Sequence, residues 1–267
     1  VSWLTLLTGE LRLASLEIDQ PDLQVKRDVQ GVLFVSGIRL DGKSADNSFA
    51  NMLLNQSRIV VRGARISWLD EKLAKPLLEF AGVNLLIENV WNYHRFAMRA
   101  TPPSLLSTQL DVRGDFYGNS FDDLQSWSGE IFTQLDYVDL AAWKTWLPLP
   151  DALKQGKGAL RGWLDIEDGR ISGLTADLGL VNVQTRLAPE LPSLDIRVLS
   201  GRLGWRDLAQ GFEVSINNFS LKLFNDFVLR PTDVLVRLNN LNEAGAASGE
   251  MRANLLELEG LGKLMAY

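Results

Sequence analysis

Apolar and polar residues alternate along this chain in short stretches that restart many times. Leu110, Val112, Gly114 and Phe116 interleave with Gln109, Asp111, Arg113 and Asp115, the period-two signature of a strand with one wet and one dry face. The rhythm returns in Leu160, Gly162, Leu164 and Ile166 against Arg161, Asp165 and Glu167, and in Phe212, Val214 and Ile216 against Glu213, Ser215 and Asn217. The first expectation is a broad sheet, greasy on one side.

Breakers and helical spacings divide that sheet. Residues 9–41 hold apolar runs at Leu11–Ile18, Leu23–Val25 and Val32–Leu40, separated by turn sequences at Gln20-Pro21-Asp22 and from Asp28 to Gly31. Asn47, Ser48, Phe49, Met52 and Leu53 predict a short helix over 47–56. Alternation resumes with Ile66 and Trp68. A strand pair follows over 78–100, turning between Asn89 and Tyr93 and stopped by Pro102 and Pro103, which lack the ladder's donor. Residues 120–127 and 139–147 are helix candidates, the second capped by Asp139 with Leu140, Trp143 and Leu147 on one face and closed by Pro148 and Pro150. From 156 to about 240 short strands succeed one another as an antiparallel meander, with breaks at Glu167-Asp168-Gly169, Ala188-Pro189-Glu190 and Asp207 to Gly211. The tail, Leu255 to Leu264, has a helical spacing.

A polar residue, a glycine and a return to apolar residues recur at Gln30-Gly31-Val32, Arg62-Gly63-Ala64, Ser128-Gly129-Glu130-Ile131 and Ser200-Gly201-Arg202-Leu203. Glycine within a strand permits a bulge, a bend or a close backbone approach; glycine in a turn needs none of these, and both readings stand. The fold class expected is mainly β: an extended, curved, largely antiparallel sheet forming an apolar groove, with a few short α-helices. One domain over 1–267 is the default for this length, with 1–56, 57–150 and 151–267 as candidate sub-units.

Composition mainly excludes. A net charge of −6 and a pI near 5.0 provide no basic footprint for nucleic acid or for an anionic membrane surface. With no cysteine there is no disulfide, thiolate nucleophile or Cys-ligated metal, and no cofactor is implied. No apolar run is long enough to span a bilayer and no signal-peptide pattern is present. The chain opens at Val1 in mid-pattern, so a segment of a longer chain is expected, with any anchor outside it.

Candidate chemistry is sparse, and an enzyme is not expected. His94 is the single histidine, so a Ser-His-Asp triad would have to be built on it, and its place at the head of a strand suits a structural role better. Asp70-Glu71 and Asp122-Asp123 are the best paired carboxylates for glycoside hydrolysis, yet adjacent acids in a turn point apart. Glu167-Asp168-Gly169 lacks the further oxygen ligands of a calcium loop and reads as a hairpin turn. Eight tryptophans are many for this length. Trp143 and Trp146 suit packing of a helix on the sheet, Trp68, Trp163 and Trp205 fall within strands, and Trp91, in a turn, is the candidate for an amphipathic groove rim.

Several ordered strings carry a resemblance: ARISWLDE at 64–71, HRFAMRATPP at 94–103, LDVRGDFYG at 110–118, WSGEIFTQLDYVDLAAWKTWLPLP at 127–150 and GALRGWLDIEDGRISGLTADLGL at 158–180. Together they resemble the AsmA-like family, and within it the large YhdP-type proteins of Gram-negative bacteria, over roughly residues 10 to 240. The resemblance implies a periplasmic section of a long chain anchored in the inner membrane. It implies a bridge-like β-groove moving phospholipid between inner and outer membranes, with acyl chains and the two membranes as partners and no known protein partner.

Under that implication the functional residues are a surface. Its candidate lining is Leu85, Ile87, Phe96, Met98, Leu110, Val112, Phe116, Ile131 and Leu135, continued by Leu160, Leu164, Ile166, Leu178, Leu180, Ile196, Val198, Val214 and Ile216. The alternative is a structural or partner-docking β-domain of the bacterial envelope, with the same residues sealed in a closed core.

Overall fold

The computed structural model describes residues 15–40, 55–147, 149–186, 191–225, 227–239 and 247–254. Among them the strands are β1 (Leu16–Asp19), β2 (Asp22–Arg27), β3 (Leu33–Val35), β4 (Ile38–Leu40), β5 (Arg58–Asp70), β6 (Leu78–Val90), β7 (Tyr93–Thr101) and β8 (Leu110–Tyr117). There follow β9 (Ser128–Asp139), β10 (Gln155–Glu167), β11 (Arg170–Thr185), β12 (Leu194–Leu208), β13 (Gly211–Leu223), β14 (Val228–Asn239) and β15 (Ser248–Ala253). One helix, α1 (Leu140–Trp143), and a broken 3-10 stretch at Phe121–Ser126 interrupt them. The chain is mainly β, and its fifteen described strands form one mixed sheet with β15 and β4 at the ends of the strand order. It divides into two compact units, residues 1–133 with 166–170 and residues 134–165 with 171–267.

In the first unit β5 to β8 form an antiparallel meander, as short connections between neighbouring strands favour. β1 and β2 run parallel to β5, which makes the sheet mixed. The run Val32–Leu40 is two strands: Ser36 and Gly37 both take positive φ (48° and 86°) and fold β3 onto β4, a backbone that suits a tight hairpin. The core of this unit is Ile59, Val61, Ala64, Val83 and Ala100, with Leu16, Ile66 and Phe80 packed beside it. At the far end of β5 the buried Asp70 carboxylate accepts from the Arg27 guanidinium on β2 and from the Leu73 amide (3.1 Å), which ties β2 to the β5–β6 turn.

The second unit contains the antiparallel series β11 to β15. Its strands are longer than the short strands expected, with sixteen residues in β11 and fifteen in β12. Its buried apolar side chains include Leu180, Val183, Leu194, Ile196, Leu221 and Leu223, with Val138, Leu140 and Trp143 at the start of the unit. The helix expected over 139–147 is reduced to α1. Asp139 caps it, accepting from the amides of Ala141 (3.1 Å) and Ala142 (3.2 Å), and beyond Trp143 consecutive turns continue to Leu147, most of them closed by bonds to the residue three back. The helices expected over 47–56 and in the tail, the break at 188–190 and Pro148 lie wholly or largely outside the described residues.

Strand interiors are punctuated by positive-φ residues. Gly63 (62°) and Gly82 (57°) lie in β5 and β6, Asn182 (51°) in β11, Gly201 (148°) in β12 and Asn218 (50°) in β13. Register shifts accompany them between Val61 and Ala64, between Ala81 and Asn84, and between Ser200 and Arg202. In β14 Pro231 falls at another shift, opposite the span from Phe219 to Leu221, where its missing N–H costs no ladder bond. Around Gly63 the buried Val61 and Ala64 enclose two exposed residues, so the alternation loses a beat. Each bulge bends its strand. Of the four glycines noted in the sequence, Gly63 and Gly201 mark bulges and Gly31 a turn. Gly129 allows a close approach: a Cβ there would collide with the Asp115 carbonyl oxygen and the Phe116 backbone.

Candidate functional site

Strand register decides which side chains share a face, because directly paired residues project to the same side. In the first unit Ile59 pairs with Ile87, Ile87 with Phe96, and Phe96 with Gly114. One step along, Val61 pairs with Leu85, Leu85 with Met98, and Met98 with Val112; Ala100 pairs with Leu110 and His94 with Phe116. Leu85, Ile87, Phe96, Met98, Leu110, Val112 and Phe116 therefore lie on one apolar face. Gly114 makes room there for the Phe96 and Phe116 rings, parallel within 7° and 6.2 Å apart, since a Cβ would enter both. On β9 Phe132 lies under the Arg113 guanidinium, 6.0 Å from its ring centre, on the opposite side of the sheet; Ile131 alternates with it.

A second apolar face runs across the other unit. Ala176, Leu203, Ile216, Val234 and Ala253 pair in succession, as do Leu174, Trp205, Val214, Val236 and Met251. Leu178 and Leu180 continue it on β11, opposite Gly201 and Leu199. On β10 Trp163 turns the other way, under the Arg202 guanidinium (5.5 Å), and Asp165 lies against Gly173. Leu160, Leu164 and Ile166 alternate with these polar-side residues. Leu135, on β9, is half-buried.

Of the eighteen nominated residues, Val198 is misplaced. It pairs with Val181, both are 43% exposed, and both point away from the adjacent Leu180–Leu199 pair. The cause is the register shift of β12 against β13 between Ile196 and Val198, which moves the apolar side by one residue. Ile196 and Leu180 are fully buried, at 2% and 5% exposure, and Ile196 pairs with the buried Val183. The other fifteen are half-buried, the state of side chains that touch their sheet neighbours without being enclosed from above. Sequence reasoning missed Ile59, Val61, Leu203, Trp205, Val234 and Val236, although the alternation in β12 and β14 carried the signal for four of them.

Trp91 stands at the β6–β7 turn, 95% exposed and at φ 56°. Trp143 is buried, edge-on to Trp146 at 6.5 Å. Trp68 and Trp163 lie beneath guanidiniums.

The sides opposite the apolar faces carry cross-strand charge rows. Arg95 donates to Glu88 (2.6 Å), Arg99 and Arg113 both donate to Asp111 (3.2 and 2.9 Å), Arg202 to Asp177 (2.6 Å) and Arg237 to Glu213 (2.5 Å). These bonds hold the carboxyls of Glu88, Asp111 and Asp177 below their ordinary range, through Arg95, through Arg113 with Arg99, and through Arg202 respectively.

The residues weighed for catalysis are engaged otherwise. His94 is buried, stacked on Trp127, with Nδ1 2.8 Å from Asn89 Oδ1 and Nε2 3.0 Å from the Gly118 carbonyl. Asp70 faces Arg27 while Glu71 faces Lys26 at 2.8 Å, so the two acids diverge. Asp168 and Gly169, at φ 49° and 67°, form the β10–β11 hairpin turn. Asp123 sits in the broken 3-10 stretch, and the Asp122 side chain lies outside the described residues.

A family model described as YhdP protein matches residues 1–267. Among curated proteins and among solved structures, nothing matches this chain.

Proposed function

We propose, from the premise that this chain belongs to the YhdP family, that it is a periplasmic section of a bridge-like lipid-transfer protein. Its parent chain, anchored in the inner membrane, moves phospholipid toward the outer membrane, and the apolar faces carry the acyl chains. The supporting observation is the half-burial of fifteen nominated side chains, collected by register into an apolar face in each unit. A closed core would hold such residues where Val83 and Ala64 are, at 0% exposure.

The physical gain is large. An acyl chain of sixteen carbons meets a barrier on the order of 12 kcal/mol in water, at about 0.8 kcal/mol per methylene. An apolar face removes most of it. A strand as long as β6 spans about 43 Å at roughly 3.3 Å per residue, against about 15 Å for one leaflet of hydrocarbon. The headgroup stays in water along the open side, which avoids burying a phosphate. Trp91 serves as a rim residue, with an apolar body and a polar N–H. No described helix is long and apolar enough to cross a membrane.

Paired charges test this reading. Val112→Asp with Leu164→Asp in the full-length parent should block lipid passage between membranes while leaving the far-ultraviolet spectrum of the segment unchanged. Transport at the unaltered rate in that double variant would remove these faces from the path.

A further inference from the structure

The opposite side of the first unit carries a hollow of about 660 Å³, within the size range of small-ligand sites. Four guanidiniums and three carboxylates line it. Arg62 is drawn to Glu17 and Asp19 (2.9 and 3.4 Å) and Arg95 to Glu88. Arg99 and Arg113 share the single carboxylate of Asp111, and Arg99 uses only its Nε, which leaves its terminal nitrogens free to donate. Between the charged rows runs an apolar row, Val60 to Leu86 to Ala97, paired residue to residue across β5, β6 and β7 and ending at Arg113 on β8.

We propose that this hollow binds an anionic single-chain amphiphile, its acid group on Arg99 and Arg113 and its chain along Val60, Leu86 and Ala97. Charge and dimensions select that ligand. A guanidinium pair with unused N–H groups suits a phosphate or carboxylate. The apolar row is one side chain wide, because on β7 the flanking Arg95 and Arg99 stand four residues apart, about 13 Å at roughly 3.3 Å per residue. That admits one hydrocarbon chain between two charged walls and excludes two side by side. β5 to β7 are interior strands, paired on both sides, so a peptide cannot join as an added strand and a ligand must lie on the side chains. The site is independent of the transport reading, which concerns the other side of the sheet.

Calorimetric titration of the 267-residue chain with dodecyl phosphate, below its micellar concentration, tests the site. One-to-one binding is expected, weakened about tenfold by Arg99→Gln or Arg113→Gln and lost in Leu86→Glu, with Ala97→Gln serving the same end should the Leu86→Glu spectrum show misfolding. Leu124→Gln, exposed in the broken 3-10 stretch and part of neither face, should leave the affinity unchanged, and inorganic phosphate and neutral dodecyl maltoside should each bind at least about tenfold more weakly. Equal binding of the maltoside would overturn the proposal, as would the absence of any binding. Loss in Val112→Asp with none in Leu86→Glu would also overturn it, placing the ligand on the apolar face and leaving the transport reading intact.

Discussion

At single positions the fold is controlled by what a side chain would strike. Gly129 sits against the Asp115 carbonyl and the Phe116 backbone, neither of which can swing aside, whereas a Cβ on Gly179 would meet nothing within 4 Å. Gly129→Ala should therefore destabilise by about 1–3 kcal/mol, the usual cost of overpacking, while Gly179→Ala should be neutral or slightly stabilising through the unfolded chain. Urea unfolding of the two variants checks this, and equal midpoints would contradict it. The same contact logic explains why His94 reads as structural: the buried ring is held on both sides by oxygens and stacked on Trp127.

At the scale of strands, legibility followed the bulges. Where β6, β7 and β8 run with unshifted register through Leu85, Ile87, Phe96, Met98 and Val112, period two found the shared face. At Val198 it failed, because β12 shifts register against β13 between Ile196 and Val198. Glycine betrayed the bulges at Gly63 and Gly201; Asn218 marks another, between Ile216 and Phe219, without that signal, and Asn182 takes the same left-handed backbone. Ser36-Gly37 was legible as a turn only after the apolar run Val32–Leu40 was cut in two. The helix over 139–147 is α-helical only to Trp143 because 3-10-type bonds take over its last turn; cap and spacing say where a helix starts and little about how tightly its end is wound.

Two predictions belong to that scale. Asn182→Gly should leave stability within a few tenths of a kcal/mol, whereas Asn182→Val should cost about 1–2 kcal/mol, since a β-branched residue resists positive φ. Thermal midpoints separate them, and a Val variant as stable as wild type would contradict a left-handed backbone at Asn182. The charge rows predict an acid dependence. Glu88, Asp111 and Asp177 have folded-state pKa values below their unfolded ones, so their contribution is complete above the ordinary carboxylate range and is lost as pH falls through and below about 4. The thermal midpoint should be flat from about pH 7 to 5 and decline below about 4, by modest amounts because the paired arginines are exposed. A midpoint that rises on acidification would contradict it.

At the scale of the molecule, a sheet of this kind divides its labour between faces: one apolar and half-buried, one laced with ion pairs that fix register and oppose unwanted association. Family membership and that partition together support lipid transfer, and the central claim is that the apolar faces hold acyl chains. Mass spectrometry of organic extracts from the purified chain measures this most directly. The account predicts co-purifying phospholipid that disappears in the Val112→Asp, Leu164→Asp variant with its far-ultraviolet spectrum unchanged; phospholipid retained undiminished by that folded variant, or absent from the wild-type chain, would contradict it.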